Sequence, residues 1–394
     1  MNALTLFFRA RRVPVMEAYI TDIAAFLPNE PVDNQNIEKV LGMVHQTPSR
    51  TRAIILRNNK IRERYYAIDP ATGGITHTNA QLAAEAVRRL CPHDGFSPDQ
   101  IECLACGTSS PDQIMPGHGL MVHGELASAP CDVASMSGIC LSGISALKYA
   151  ALNVAAGITG NAVATGSELA STFMRSELFD AVSPERAAEL ESCPGISFDA
   201  DFLRWMLSDG AGAVYVSTAP SSERPSLKIE WIELLSFAGE LETCMYSGAT
   251  KNDDGSLTGW RTLNGGTGTD AFLVKQDVKL LNREIISTIV NRTLTRVIAK
   301  YGISPEHIDW FLPHYSSAYF RQSLHDRMGE IGFSIPEERW FTNLTTKGNT
   351  GSASIYIMME ELFHSGRLKR GETILCMIPE SGRFSVAYML LTVV

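Results

Sequence analysis

The chain has 394 residues, 45% hydrophobic and 20% charged, with 31 glycines and a net charge of −9. This is the composition of a globular enzyme rather than of a disordered or fibrous chain, and the length suits two or three domains or a duplicated one. The acidic balance, without a long basic run interleaved with aromatics, gives no support for nucleic-acid binding, although a local basic patch for an acidic partner stays compatible with it. No apolar run reaches the ~18–20 residues of a membrane span.

In chain order, residues 1–15 place Leu4–Phe8 ahead of Arg9, Arg11 and Arg12, the wrong polarity for a signal peptide, and read either as a disordered lead or as a misplaced start. Ala18–Leu27 reads as the first strand. A helix over 78–90, a strand over 101–107, a helix over 142–157 and a strand over 161–165 follow. The glycine-punctuated strand Asp209–Val216 closes a first half, 16–220, and polar Ser217–Ser226 reads as a linker. The second half, 227–394, opens with a strand at Leu227–Leu235. It continues with helix 277–301, strand 308–312, helices 317–330 and 350–366, strand 373–378 and a last strand, Phe384–Leu391. Such alternation predicts an α/β architecture with mixed sheets covered by helices. The stretches 177–200 and 237–272 read as insertions, of the length that lids and partner surfaces use.

Chemistry concentrates at three strand-to-helix junctions. In Asp132-Val-Ala-Ser-Met-Ser-Gly-Ile-Cys-Leu-Ser-Gly143, a short strand runs into small residues and Cys140 opens a helix whose apolar stripe begins at Ile144. A helix N-terminus favours thiolate, the nucleophilic form, yet free cysteines are usually buried small hydrophobes, so this segment alone leaves both readings open. Trp310-Phe-Leu-Pro-His-Tyr-Ser-Ser317 delivers His314 into a polar turn. Thr345-Thr-Lys-Gly-Asn-Thr-Gly-Ser352 sets Asn349 before another helix. Read singly, that histidine is structural and that asparagine a turn former or N-cap. The other cysteines are scattered, which fits free thiols in a reducing cytoplasm. Cys103 and Cys106 form a C-x-x-C with no second pair to complete a zinc site, so no metal is expected.

Taken together these segments resemble the thiolase-fold condensing enzymes, and within them the β-ketoacyl-acyl-carrier-protein synthase III branch. Asn59-Lys-Ile-Arg-Glu-Arg-Tyr65 is similar to that branch's T-G-I-R-E-R-H, and Asp132–Gly143 to its D-V-x-x-A-C-A-G nucleophile turn. Ser208-Asp-Gly-Ala-Gly-Ala213 resembles G-D-G-A-G-A, His314-Tyr-Ser-Ser stands where H-Q-A-N is found, and Lys347-Gly-Asn-Thr-Gly-Ser-Ala-Ser resembles Y-G-N-T-S-A-A-S. The resemblance covers roughly residues 16–394. It implies two similar halves stacked as a five-layer αβαβα fold, a homodimer, and no cofactor beyond substrates carried on acyl carrier protein or coenzyme A. It also implies that Cys140 carries the acyl group, while His314 and Asn349 hydrogen-bond the second thioester. An oxyanion hole would come from the Cys140 N–H and an N–H at Ser381 or Gly382.

The departures qualify this. The branch's closing G-G-G-F loop is here Pro379-Glu-Ser-Gly-Arg-Phe384, which puts charge close to the thiol. The tryptophan that stacks on coenzyme A falls in Arg50–Arg57, which holds no aromatic, so the balance shifts to acyl carrier protein. Arg321, Arg327, Arg367, Lys369 and Arg370 are candidates for a basic entrance, with ordinary solvated surface as the competing reading. A degradative thiolase would need a cysteine in the closing loop, and Cys376 lies on the strand before it. An ester- or amide-forming acyltransferase and a non-catalytic partner subunit both compete with the condensing enzyme. The His-Tyr-Ser-Ser turn and the insertions also resemble ketosynthase-cyclases that make dialkylresorcinol or cyclohexanedione precursors. Ring closure there needs an acid/base, for which Glu168 and Glu380 are candidates, each with a structural role as the competing reading.

Overall fold

The computed structural model describes residues 17–49, 51–180, 202–262 and 272–394. Most of the 177–200 insertion lies outside the described residues. The main sheet has nine strands: β1 Tyr19–Phe26, β2 Cys103–Thr108, β3 Asp132–Ser137, β4 Asn161–Glu168, β5 Gly210–Ser217, β6 Leu227–Ser236, β7 Trp310–Pro313, β8 Thr373–Glu380 and β9 Ser385–Val393. Their order across the sheet is β7-β8-β9-β6-β1-β5-β4-β2-β3. The two halves repeat one pattern about the β1–β6 seam. On one side β1-β5-β4-β2-β3 pair antiparallel near the seam and parallel beyond it. On the other, β6-β9-β8-β7 do the same. A single bridge from Phe311 to Trp340 stands where the fifth strand would be. The seam itself is only Tyr19 opposite Lys228 and Ile20 opposite Leu227, so the two expected sheets are joined into one.

Helices form α1 Asn79–Arg88, α2 His118–Leu126, α3 Leu141–Ala155, α4 Val278–Ser287, α5 Thr295–Tyr301, α6 Tyr319–Glu330 and α7 Ser354–Phe363. α1 begins with a capping box between Thr78 and Gln81. Helix 277–301, expected to be continuous, is α4 and α5 joined by a π-helical stretch, Thr288–Leu294. There Thr293 Oγ1 donates to the Thr288 carbonyl at 2.8 Å, across the five-residue spacing of the wider turn. Helix 350–366 starts late, at Ser354, because Asn349–Ala353 are held in a loop and a 3₁₀ turn, with Gly351 at φ +53°.

The layering follows from which faces are apolar. α3 packs on β4, β2 and β3 of its own half and also on β8 and β9 of the other. α7 packs on β1 and β5 as well as β7, so both helices lie between the two half-sheets. With α1 and α2 outside one half and α4 to α6 outside the other, five layers result. A β-bulge between Ile20 and Asp22 shifts the strand's alternation, so Ile20 and Ile23 face the central layer while Ala24 and Phe26 face outward. Cys103 and Cys106, three residues apart on β2, point into opposite cores, and burial raises both thiols to about 12. They cannot share a ligand. Among the described residues no cluster of three or more His, Cys, Asp or Glu is suited to a metal, and no helix is long and apolar enough to cross a membrane.

Central to the stack is the crossing of α3 and α7. A Cβ on Gly143 would lie 2.3 Å from the Ser352 carbonyl oxygen, and Tyr356 Oη donates to the Gly143 carbonyl at 2.8 Å. Only glycine permits this approach. Gly143→Ala is expected to cost about 1–3 kcal/mol through overpacking, read as a lower urea midpoint with an unchanged slope.

Candidate active site

All strands that carry candidate residues end at one edge of the stack. β3 leads through Gly138 and Ile139 to Cys140, which caps α3 with φ −61° and ψ −26° and is half-buried. β7 leads to His314, pinned by its backbone N–H to the Met377 carbonyl at 2.8 Å and 4% exposed. Asn349 precedes the α7 turn. Its backbone is held on both sides, N–H to the Met206 carbonyl at 3.0 Å and carbonyl from the Ser208 N–H at 2.8 Å. The close crossing at Gly143 and Ser352 brings the starts of α3 and α7 together, and with them Cys140 and Asn349. The fold thus gathers all three candidates at one end of the stack.

The Asn349 side chain is oriented by its own loop. Oδ1 accepts from the Gly351 N–H at 3.0 Å, and among the described residues no acceptor takes Nδ2, which leaves a donor for a ligand. Burial lowers His314 to about 4, so its imidazole is neutral at physiological pH, and no hydrogen bond engages either ring nitrogen among the described residues. A neutral imidazole can present one N–H to a developing oxyanion without an unpaired buried charge at rest.

Cys140 departs from what its place in the helix predicts. A helix N-terminus favours thiolate, but this thiol is held well above its ordinary value, by burial first, then by the negative charges of Glu380 and Glu168. The reason is structural. Glu380 Oε2 accepts from the N–H of Ile139 at 2.9 Å and of Leu141 at 3.0 Å, on either side of Cys140. A carboxylate already occupies amides that would otherwise stabilise a thiolate.

Glu168 proves to be a tie rather than a free base. Ser109 N (3.1 Å) and Ser352 N (3.2 Å) donate to Oε1, while Ser109 Oγ (2.6 Å) and Ser110 Oγ (2.7 Å) donate to Oε2. Four donors meet the four lone-pair positions of a carboxylate. Burial nonetheless raises its pKa. No spacing along the chain signals that network, although Ser109, Ser110 and Glu168 all stand just after or at the ends of parallel strands.

The turn Ser381–Gly382 does lie against the nucleophile loop, since a Cβ on Gly382 would be 2.8 Å from Ile139 Cδ1. The 237–272 insertion, in its described part, seats there. Cys244 N (2.9 Å) and Met245 N (3.2 Å) donate to the Gly382 carbonyl, and just past the insertion Gln276 Nε2 donates to Ser381 Oγ at 2.8 Å. Arg383 turns outward to the Leu241 carbonyl. Cys376 is buried inside β8, away from the closing turn. The Ser208–Ala213 motif is a clamp: buried Asp209, raised by burial to about 6, accepts from Ala67 N and Ser171 N at 2.8 Å each.

The expected basic entrance is not brought together. Arg367, Lys369 and Arg370 precede β8, whose eight residues span roughly 26 Å before reaching Glu380. They lie at the opposite edge, with Arg367 over the Trp310 ring. Arg321, near the start of α6, is held by Glu337 at 2.8 Å and stacks over Trp340, and Arg327 pairs with Glu330 at 3.2 Å. Residues 52–59 form a short helix without aromatics.

Against known proteins, residues 298–386 match the family of the 3-oxoacyl-[acyl-carrier-protein] synthase III C terminal. The chain is 23% identical over 362 residues to the β-ketoacyl-[acyl-carrier-protein] synthase III of Hyphomonas neptunium, covering 91% of this chain and 94% of that protein. It is 24% identical over 367 residues to the corresponding protein of Aquifex aeolicus, with coverages of 91% and 94%. Among solved structures, AbyA1, a tetronic acid condensing enzyme, superposes with a TM-score of 0.71 at 18% identity, covering 95% of this chain and 99% of that one. OleA of Xanthomonas campestris superposes with a TM-score of 0.72 at 18% identity, covering 96% and 99%. The fold is that of these enzymes, and by sequence the chain is ketosynthase III-like.

His314 yields a stability prediction. Its folded pKa of about 4 lies below its ordinary 6.5, so its contribution is complete above pH 6.5 and is lost as pH falls towards 4. His314→Gln should remove about 2–3 kcal/mol of the stability lost between neutral pH and pH ~4.5, measured by urea unfolding at both pH values.

Proposed function

We propose that this ketosynthase III-like chain joins two acyl thioesters through an acyl-Cys140 intermediate. The observation that carries the reading is a cysteine opening a central-layer helix, with a neutral His314 and the free Nδ2 of Asn349 presented at the same end of the stack. In the first half-reaction Cys140 Sγ attacks a thioester carbonyl, the carrier's C–S bond breaks, and the carrier thiol leaves with a proton. In the second, a thioester bearing a nucleophilic α-carbon, formed by loss of CO₂ or of a proton, attacks the acyl-Cys140 carbonyl. The new C–C bond forms as the Cys140 C–S bond breaks. His314 and Asn349 donate to the enolate oxygen of the second thioester, and the Cys140 N–H, with the Ser381–Gly382 turn, faces the oxyanion on the acyl carbonyl.

Acyl carrier protein or acyl-CoA is the proposed donor class. The OleA structure solved with lauric acid and lauroyl-CoA supports an acyl thioester as ligand of this scaffold. The finer reading is that condensation is followed by ring closure to a cyclohexanedione or dialkylresorcinol precursor. Support comes from the carboxylate of Glu380 at the nucleophile turn, where a second proton transfer needs a base, and from the likeness to a tetronic acid condensing enzyme. A homodimer is proposed through β3, which forms the free edge of the sheet with Asp132, Ser135 and Ser137 exposed.

The test is product analysis with paired β-ketoacyl and acyl thioesters on carrier protein. A cyclic product supports the full reading, and a linear β-keto product alone removes ring closure. A stable acyl-enzyme that transfers only to oxygen or nitrogen nucleophiles favours an acyltransferase. Cys140→Ala should abolish the acyl mass increment, and its persistence would overturn the assignment. His314→Ala and Asn349→Ala should keep acylation yet slow condensation about 100-fold or more each, read by single-turnover kinetics.

A further inference from the structure

The last residue of β4 and the last residue of β8 are both glutamates, at equivalent positions of the two halves, and each reaches into the opposite half. Glu168 takes the Ser352 N–H beside α7, and Glu380 takes the Ile139 and Leu141 N–H groups beside α3. The two are not alike in what remains free. All lone pairs of Glu168 are met, whereas both donors to Glu380 reach Oε2 and none reaches Oε1 among the described residues.

Glu380 also borders a cleft of about 270 Å³, shared with Ser142, Ser145, Leu234, Ser236 and Ser385. Gly138 and Leu141, on either side of Cys140 in the nucleophile turn, line the same cleft. A free helix N-terminus would draw Cys140 towards thiolate. Here the amides on both sides of it already serve an anion, and a second negative charge one residue away is opposed. The other titratable group acting on the thiol is Glu168, whose charge also opposes ionisation.

We propose that Glu380 is a positioning residue that fixes the Cys140 turn and, by its negative charge, holds Cys140 as the thiol at rest. When the S–H bond breaks, the proton passes to solvent and a second negative charge appears beside the first, which is the step that Glu380 opposes. The resting enzyme is thereby guarded against alkylation and oxidation, which require the thiolate. The proposal does not depend on the condensation reading, because it concerns the free enzyme.

The experiment is the pH dependence of iodoacetamide alkylation of the full chain, with Cys140 followed by peptide mass spectrometry. Wild type should react slowly at neutral pH, with an inflection above the about 8.5 of a free cysteine. Glu380→Gln keeps an acceptor for the two N–H groups and removes the charge. It should move the inflection down by at least about one unit and raise the neutral-pH rate about tenfold. Glu168→Gln should move it less. An unchanged profile in a Glu380→Gln protein with wild-type circular dichroism would overturn the proposal. Should that variant not fold, the thiolate ultraviolet absorbance of wild type minus Cys140→Ser decides: an inflection above a free cysteine supports the proposal, and one below overturns it.

Discussion

The close packing of α3 on the 3₁₀ turn that leads into α7 is the constraint on which the rest of this structure depends. Gly143 gives the Ser352 carbonyl room to approach, and Tyr356 fastens the contact with its hydroxyl. Helices that pass this near cannot slide, since even one methyl group would collide with backbone rather than with a flexible side chain. The start of α3, which Cys140 caps, is therefore fixed relative to the turn that runs from Asn349 into α7. His314 is set by a different device, the parallel pairing of β7 with β8, which also ends at Glu380. The site is thus placed by regular elements rather than by long loops, which gives it geometric precision.

The duplicated plan has an electrostatic consequence. Each half sends a glutamate from an equivalent strand end to the start of the other half's central helix. On the Asn349 side the carboxylate is wholly consumed in tying Ser109, Ser110 and Ser352 together. On the Cys140 side it is half-engaged and opposes ionisation of the thiol. Two carboxylates and a neutral imidazole make the resting site anionic and reluctant to hold a further negative charge. Stabilisation of developing charge then falls to uncharged donors: the His314 ring, the Asn349 amide and backbone N–H groups. The described part of the 237–272 insertion reinforces the closing turn from outside, through Cys244, Met245 and, just beyond it, Gln276.

Much of this was legible in the sequence. The strand-helix alternation located the major elements to within a few residues, because amphipathic periodicity and glycine punctuation are local signals. The three junctions at Cys140, His314 and Asn349 could be read for the same reason, since each is a short apolar strand followed by small residues and a helix. Where local reading failed, the cause was contact between distant segments. The start of α7 was misplaced because Gly351 and Ser352 answer to Glu168, nearly two hundred residues earlier in the chain. The basic candidates Arg367, Lys369 and Arg370 were chosen as a run that could meet an acidic carrier, but the length of β8 carries them to the opposite edge from Glu380.

The amino-acid sequence by itself determined the α/β class and the division into two halves, because these depend on side-chain type and short-range order, while Cys140, His314 and Asn349 stood out only through the resemblance of their segments to a known family. Only the tertiary structure decided their states. The resting thiol state of Cys140 follows from burial first, and then from a carboxylate that arrives from the other half of the chain. The neutrality of His314 follows from how much water is excluded around it, and the saturation of Glu168 from four donors drawn from separate segments. Such quantities depend on distance and dielectric in three dimensions, to which spacing along the chain gives no access.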